Sequence, residues 1–184
     1  MIASPPHRIV GSYTFELERH GMAKNSVIDG RMTAHLDGGF VVFLIGMRIN
    51  KPWKVHKWWP VFTAMPRMLR VLRQHPDLGL LGYHIALRPR GPIIVEYWRS
   101  VEDLTKFAHN HLQPHLAAWR MFNRHVGFTG DVGFWHETYV VAPGGYEAVY
   151  GNMPRFGLAA AGEHVAVARK GESAKERLHA KLAP

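Results

Sequence analysis

Three short segments of this chain carry bulky side chains on both faces of the strands they would form: "FVVFLIGM" (40–47), "IIVEYW" (93–98) and "FWHETYVV" (134–141). A strand of that kind has no face to leave in water, so the sheet built from such strands must be covered on both sides. An open sheet with one solvated face is therefore excluded.

One covering layer is written between the strands. After the Asn50-Lys51-Pro52 break, Trp58, Val61, Phe62, Met65, Leu69 and Leu72 fall at helical spacing, with Arg67, Arg70 and Arg73 on the other side. Pro60 and Pro66 predict a helix that is broken or starts late, and "HPDLG" predicts its end. Ser100 is placed to cap a second helix, with Asp103 three positions on. Its apolar stripe runs Val101, Leu104, Ala108 and His111, breaks at Gln113-Pro114 and resumes through His115, Ala118 and Phe122; His109 is expected to point off it toward solvent.

Turn chemistry orders the strands. "RMTAHLDGGFVVFLIGMRI" predicts a hairpin closed at Asp37-Gly38-Gly39, and "LLGYHIAL" with "IIVEYW" predicts another around "RPRGP". "GDVGFWHETYVV" is the last core strand. The succession is βαββαβ, which predicts an α+β, ferredoxin-like antiparallel sheet with its helices on one face. Its other face is expected to pack on the sheet of a second copy, making a homodimer that closes a dimeric α+β barrel. The expected organisation is an N-terminal extension (1–30), a barrel domain (31–160) and a frayed basic tail (161–184).

With 184 residues, one domain with a substantial core is expected. No apolar run reaches the ~18–20 residues of a membrane-crossing helix, and the N-terminus lacks a signal-peptide pattern, so a cytoplasmic location is expected. The absence of cysteine excludes disulfides, thiolate catalysis and cysteine metal sites. Net charge is +9, and the seven basic residues between Arg48 and Arg73 have no acidic residue among them. The interleaved aromatics fall on the core stripe, which argues against nucleic acid as the partner and for a small anionic or hydrophobic organic molecule. No glycine pattern fits a dinucleotide or phosphate loop.

Several uncommon strings occur together: "FVVFLIGMRINKPWKVHKWWPVFTAMPRML", "GLLGYH", "EYWRSVEDLTKFA", "HLAAWRMFNR", "VGFWHETYVV" and "YEAVYGNMPRFGLA". In these the chain resembles, over roughly residues 31–160, the monooxygenase-like family of domain-of-unknown-function proteins that includes the fumagillin-pathway monooxygenase. The resemblance implies a dimeric α+β barrel. That superfamily holds cofactor-free monooxygenases acting on aromatic polyketides, haem-degrading oxygenases and other haem enzymes, and a shared fold does not choose among them.

The resemblance to haem-degrading relatives puts an iron ligand on the helix after the third core strand, with His115 first and His111 second; the alternative is a histidine that merely caps or packs the helix end. Arg48, Asn50, Lys51, Lys54 and His56 lie at a rim where Arg48, Lys51 and Lys54 would meet haem propionates or a carboxylated substrate, or else form a solvated basic face. On the last strand, alternation groups His136 with Phe134, Thr138 and Val140, and places Trp135, Glu137 and Tyr139 opposite. His136 is either a hydrogen-bonded core group or an acid-base or orienting residue; with Trp135 and Asn50 it makes the candidate catalytic set. The first functional expectation is thus a haem-dependent, monooxygenase-like oxidoreductase. Its alternatives are a cofactor-free monooxygenase and a non-catalytic barrel that holds a hydrophobic ligand.

Overall fold

The computed structural model describes residues 26–109 and 129–178. Strand β2 (Phe40–Ile49) is the axis of the larger sheet and pairs antiparallel with β4 (Gly91–Trp98) on one side and β5 (Val132–Val141) on the other. Strand β3 (Leu80–Arg88) pairs with the far edge of β4. The order β3-β4-β2-β5 is the second-third-first-fourth arrangement of a ferredoxin-like sheet, as the sequence predicts.

Helix α1 (Val55–Gln74) links β2 to β3, and α2 (Val101–His109) follows β4. Both cover one face. Val41, Ile94 and Trp98 of the sheet pack with Leu69 and Leu72 of α1 and Phe107 of α2, all nearly inaccessible to water. Burying each of the aliphatic side chains contributes about 1.5–3 kcal/mol. The expected cap is present, with the Asp103 amide donating to Ser100 Oγ at 3.1 Å.

Helix α1 departs from the expectation. It runs unbroken through Pro60 and Pro66. Each proline removes one backbone hydrogen bond, but the stripe of Ala64, Met68, Leu69 and Leu72 is buried along the sheet, so packing holds the helix through both losses.

The expected first hairpin is not formed. Strand β1 (Ile28–His35) leaves β2 after the Asp37-Gly38-Gly39 turn and joins a second sheet, between β6 (Tyr150–Met153) and β7 (Glu163–Ala166). The turn therefore carries the chain from one sheet to the other. The "frayed" tail is also corrected: residues 163–177 form β7, a 3-10 turn and the short helix α4 (Ala174–Arg177). Arg177 is buried and ion-paired to Glu147 at 2.6 Å, and a Ser173–Glu176 capping box starts α4.

The second sheet and the short helix α3 (Leu158–Ala161) cover much of the face opposite the helices. Ala34, Phe40, Leu158 and Ala159 form the centre of that layer, with Val42, Leu81, Tyr97, Tyr146 and Tyr150 packed around them. Helix α3 reaches the sheet because Gly82 has no side chain; a Cβ there would stand 3.0 Å from Ala161. The double-faced strands thus find part of their cover within the chain rather than solely in a second copy.

Candidate functional site

Between the helices and the large sheet lies an open cavity of about 410 Å³, within the ~300–1,000 Å³ range of small-molecule sites. Strand register builds its floor: Phe43, Ile45 and Met47 of β2 stand opposite Thr138, His136 and Phe134 of β5, with Ile94 of β4 beside them. Helical spacing builds its roof, as Val61, Ala64, Met65 and Met68 share one face of α1, and Leu104, Thr105, Ala108 and His109 share one face of α2. Alanines leave room and methionines adapt, so this layer is apolar without being filled.

Among the described residues, the polar side chains on the wall are Thr105, His109, His136 and Thr138. His136 stands where alternation predicts it, its ring 5.6 Å from that of Phe43. His109 is exposed to solvent, as expected, and also borders the cavity. Leu104 and Ala108 of the expected stripe line the cavity, while Thr105 and His109, four apart, border it on a face that is exposed to solvent. His109 Nδ1 lies 2.8 Å from the Thr105 carbonyl oxygen. A carbonyl only accepts, so Nδ1 carries the hydrogen, and in the neutral ring Nε2 is the acceptor.

Glu96 was not among the residues singled out from the sequence. It faces the helix side, next to the cavity-lining Phe43 in the register, and is 5% exposed. Burial pushes its carboxyl up to about 7, partly offset by a 2.8 Å hydrogen bond from the Trp98 indole. The signal was present in "IIVEYW", where a carboxylate stands on the same face as Ile94 and Trp98.

The remaining candidates are scattered. Trp135 lies on the reverse face, its indole filling the space a Gly46 side chain would take, 2.7 Å from that Cβ position. Asn50 sits at the end of the sheet, accepting from Arg48 Nε at 3.1 Å and donating to the Gly130 carbonyl at 3.0 Å. Lys51 and Lys54 both hold the buried Asp131 carboxylate, at 2.7 and 2.9 Å. These two ammonium groups keep Asp131 far below the usual carboxylate range and tie the end of β2 to the start of β5. Of the proposed catalytic set only His136 lines the cavity. His111 and His115 lie outside the described residues. Among the described residues no group of three histidine or carboxylate side chains is placed to hold a metal ion, and no helix is long and apolar enough to cross a membrane.

Fold and cavity together define an α+β ferredoxin-like domain with a largely apolar cavity between sheet and helices. The chain belongs to the Monooxygenase af470-like family, whose model matches residues 40–158. It is 33% identical over 148 residues to Monooxygenase af470 of Aspergillus fumigatus, a match covering 68% of this chain and 52% of the relative. The chain thus spans about half the length of that relative. Among solved structures, it is similar to SnoaB, a cofactor-independent oxygenase from Streptomyces nogalater, at 8% identity and a TM-score of 0.40, covering 54% of this chain and 90% of that one. A dimeric protein of unknown function and ferredoxin-like fold from Bacteroides fragilis is similar at 10% identity and a TM-score of 0.40, covering 54% of this chain and 94% of that one.

Proposed function

We propose that this chain is a cofactor-free monooxygenase, with the helix-side cavity holding a flat, largely apolar substrate whose own carbanion reduces dioxygen. The observation that carries the reading is the cavity itself: a largely apolar chamber whose polar side chains, among the described residues, are two histidines and two threonines. Oxygenation without a cofactor needs a substrate acidic at carbon and electron-rich once ionised, as in a phenolic aromatic ketone with an activated methylene. The balanced change is CH2 + O2 → C=O + H2O. Deprotonation gives the carbanion, electron transfer to dioxygen and recombination give a peroxide, and protonation with loss of water leaves the ketone. An apolar surface and a fixed orientation are the protein's contribution. His136, as a hydrogen-bonding or acid-base group on the floor, orients the substrate oxygen.

The haem reading fits the residues less well. Lys51 and Lys54, expected to meet propionates, are held on Asp131. Its candidate ligands His115 and His111 lie outside the described residues. One experiment separates the two: chelator-dialysed protein is given 1,8-dihydroxyanthrone in air. Oxygen uptake with formation of the dihydroxyanthraquinone and no Soret absorbance is expected, whereas turnover restored only by added haem would overturn the cofactor-free reading.

We further propose that this chain works as a homodimer. β5 is an edge strand, and Tyr139 and Val140 on it, with Leu87 on the opposite edge, are 51%, 72% and 76% exposed. Covering such apolar edges by a second copy removes them from water. Light scattering at micromolar concentration should give twice the chain mass; a monomer would contradict this.

A further inference from the structure

We propose that His109, through Nε2, is the base that takes the substrate's carbon-bound proton, leaving His136 to orient the substrate. The assignment rests on the cofactor-free reading above. Two observations separate the histidines. The Thr105 carbonyl fixes the hydrogen of His109 on Nδ1, so Nε2 is an acceptor in the neutral ring. No hydrogen bond among the described residues fixes the tautomer of His136, whose ring lies 5.6 Å from that of Phe43. A base whose tautomer is set before the substrate arrives needs no rearrangement at the moment of transfer.

Position agrees with this role. His109 is the last residue of α2 and His136 the middle of β5, so the two rings come from roof and floor. Both rings are exposed at the open side of the cavity, where a flat molecule entering between helices and sheet would meet one on each side. The proton leaves carbon for Nε2, making an imidazolium whose Nδ1–H still donates to Thr105. The pair of electrons stays on carbon. The same imidazolium stands ready to return its proton to the peroxide formed with dioxygen, which restores the neutral ring.

The test separates proton transfer from oxygenation. Wild type, His109→Gln and His136→Gln are mixed with 1,8-dihydroxyanthrone without oxygen, and the absorbance of its bound anion is recorded. Air is then admitted and oxygen uptake followed. In parallel, nitrogen-15 spectra of the free protein report the His109 tautomer. Expected are an Nδ1–H tautomer, anion formation in wild type, a drop of about tenfold or more in its rate in His109→Gln, and retained anion formation with weaker binding in His136→Gln. An Nε2–H tautomer, unimpaired anion formation in His109→Gln, or ligand bound by wild type without ionising would each overturn the assignment. Failure of the anthrone to bind overturns both it and the cavity reading. An anion that forms but takes up no oxygen leaves His109 as the base and overturns the monooxygenase reading instead.

Discussion

The two faces of the large sheet are both apolar in sequence, yet they are packed differently. On the reverse face rings interlock: Phe40 meets Tyr146 at 5.3 Å, His84 meets Phe156 at 4.6 Å and Tyr150 meets His164 at 5.5 Å between centroids. On the helix face Met65, Met68, Ala64 and Ala108 leave a chamber, and a carboxylate with a raised pKa sits beside it. Hydrophobicity alone does not distinguish a core from a pocket; shape, and the presence of titratable groups that burial disfavours, do.

The largest effect should come from the filled face. Phe40→Ala removes a side chain that is 3% exposed, and should lower unfolding free energy by about 3–5 kcal/mol in denaturant titration. Met65→Ala, beside existing space, should lose only about 2 kcal/mol or less. Equal losses would erase the contrast between the faces.

Next in size is Glu96. Its carboxyl moves from 4.5 to about 7 on folding, so the folded state favours the protonated form. Stability is full below the unfolded value, declines as pH rises from 4.5 to about 7, and then levels, a loss of about 3 kcal/mol. Glu96→Gln keeps an acceptor for the Trp98 indole and removes that decline. Its stability relative to wild type should therefore grow across this window; parallel curves would show that Glu96 is not buried as described.

The smallest effect belongs to the reverse-face histidines. Burial lowers the pKa values of both His84 and His164. Their neutral rings support the fold above the ordinary histidine range, and that support is lost as pH falls through it. Replacing both by Phe should flatten the acid side of the stability curve, read by thermal unfolding between pH 5 and 8; an unchanged curve would assign the acid sensitivity elsewhere.

Much of this was legible in the sequence, and the failures have physical causes. Alternation placed His136 and Trp135 on opposite faces, and turn chemistry found β3 and β4. The Asp37-Gly38-Gly39 turn was misread because a tight turn specifies a chain reversal, not which strands pair afterwards. β1 takes its partners more than a hundred residues away, at Tyr150 and Val165, among others. The continuity of α1 depends on burial against the sheet, which local proline chemistry does not report. His109 is exposed as helical spacing predicts, but that it also borders the cavity depends on how α2 sits over the sheet, which spacing alone does not report. Lys51 and Lys54 were read as free for an anion because Asp131, which holds them, is distant in sequence.

The central claim is that the helix-side cavity, and not the filled reverse face, receives the ligand. Ala64 is 8% exposed and lines that cavity from α1, so Ala64→Phe fills it without touching the reverse face. Calorimetric titration with 1,8-dihydroxyanthrone, on samples whose circular dichroism and melting confirm the fold, measures the consequence. Wild type should bind, and Ala64→Phe should lose tenfold or more in affinity, about 1.4 kcal/mol or greater. Undiminished binding by a folded Ala64→Phe protein would contradict the claim.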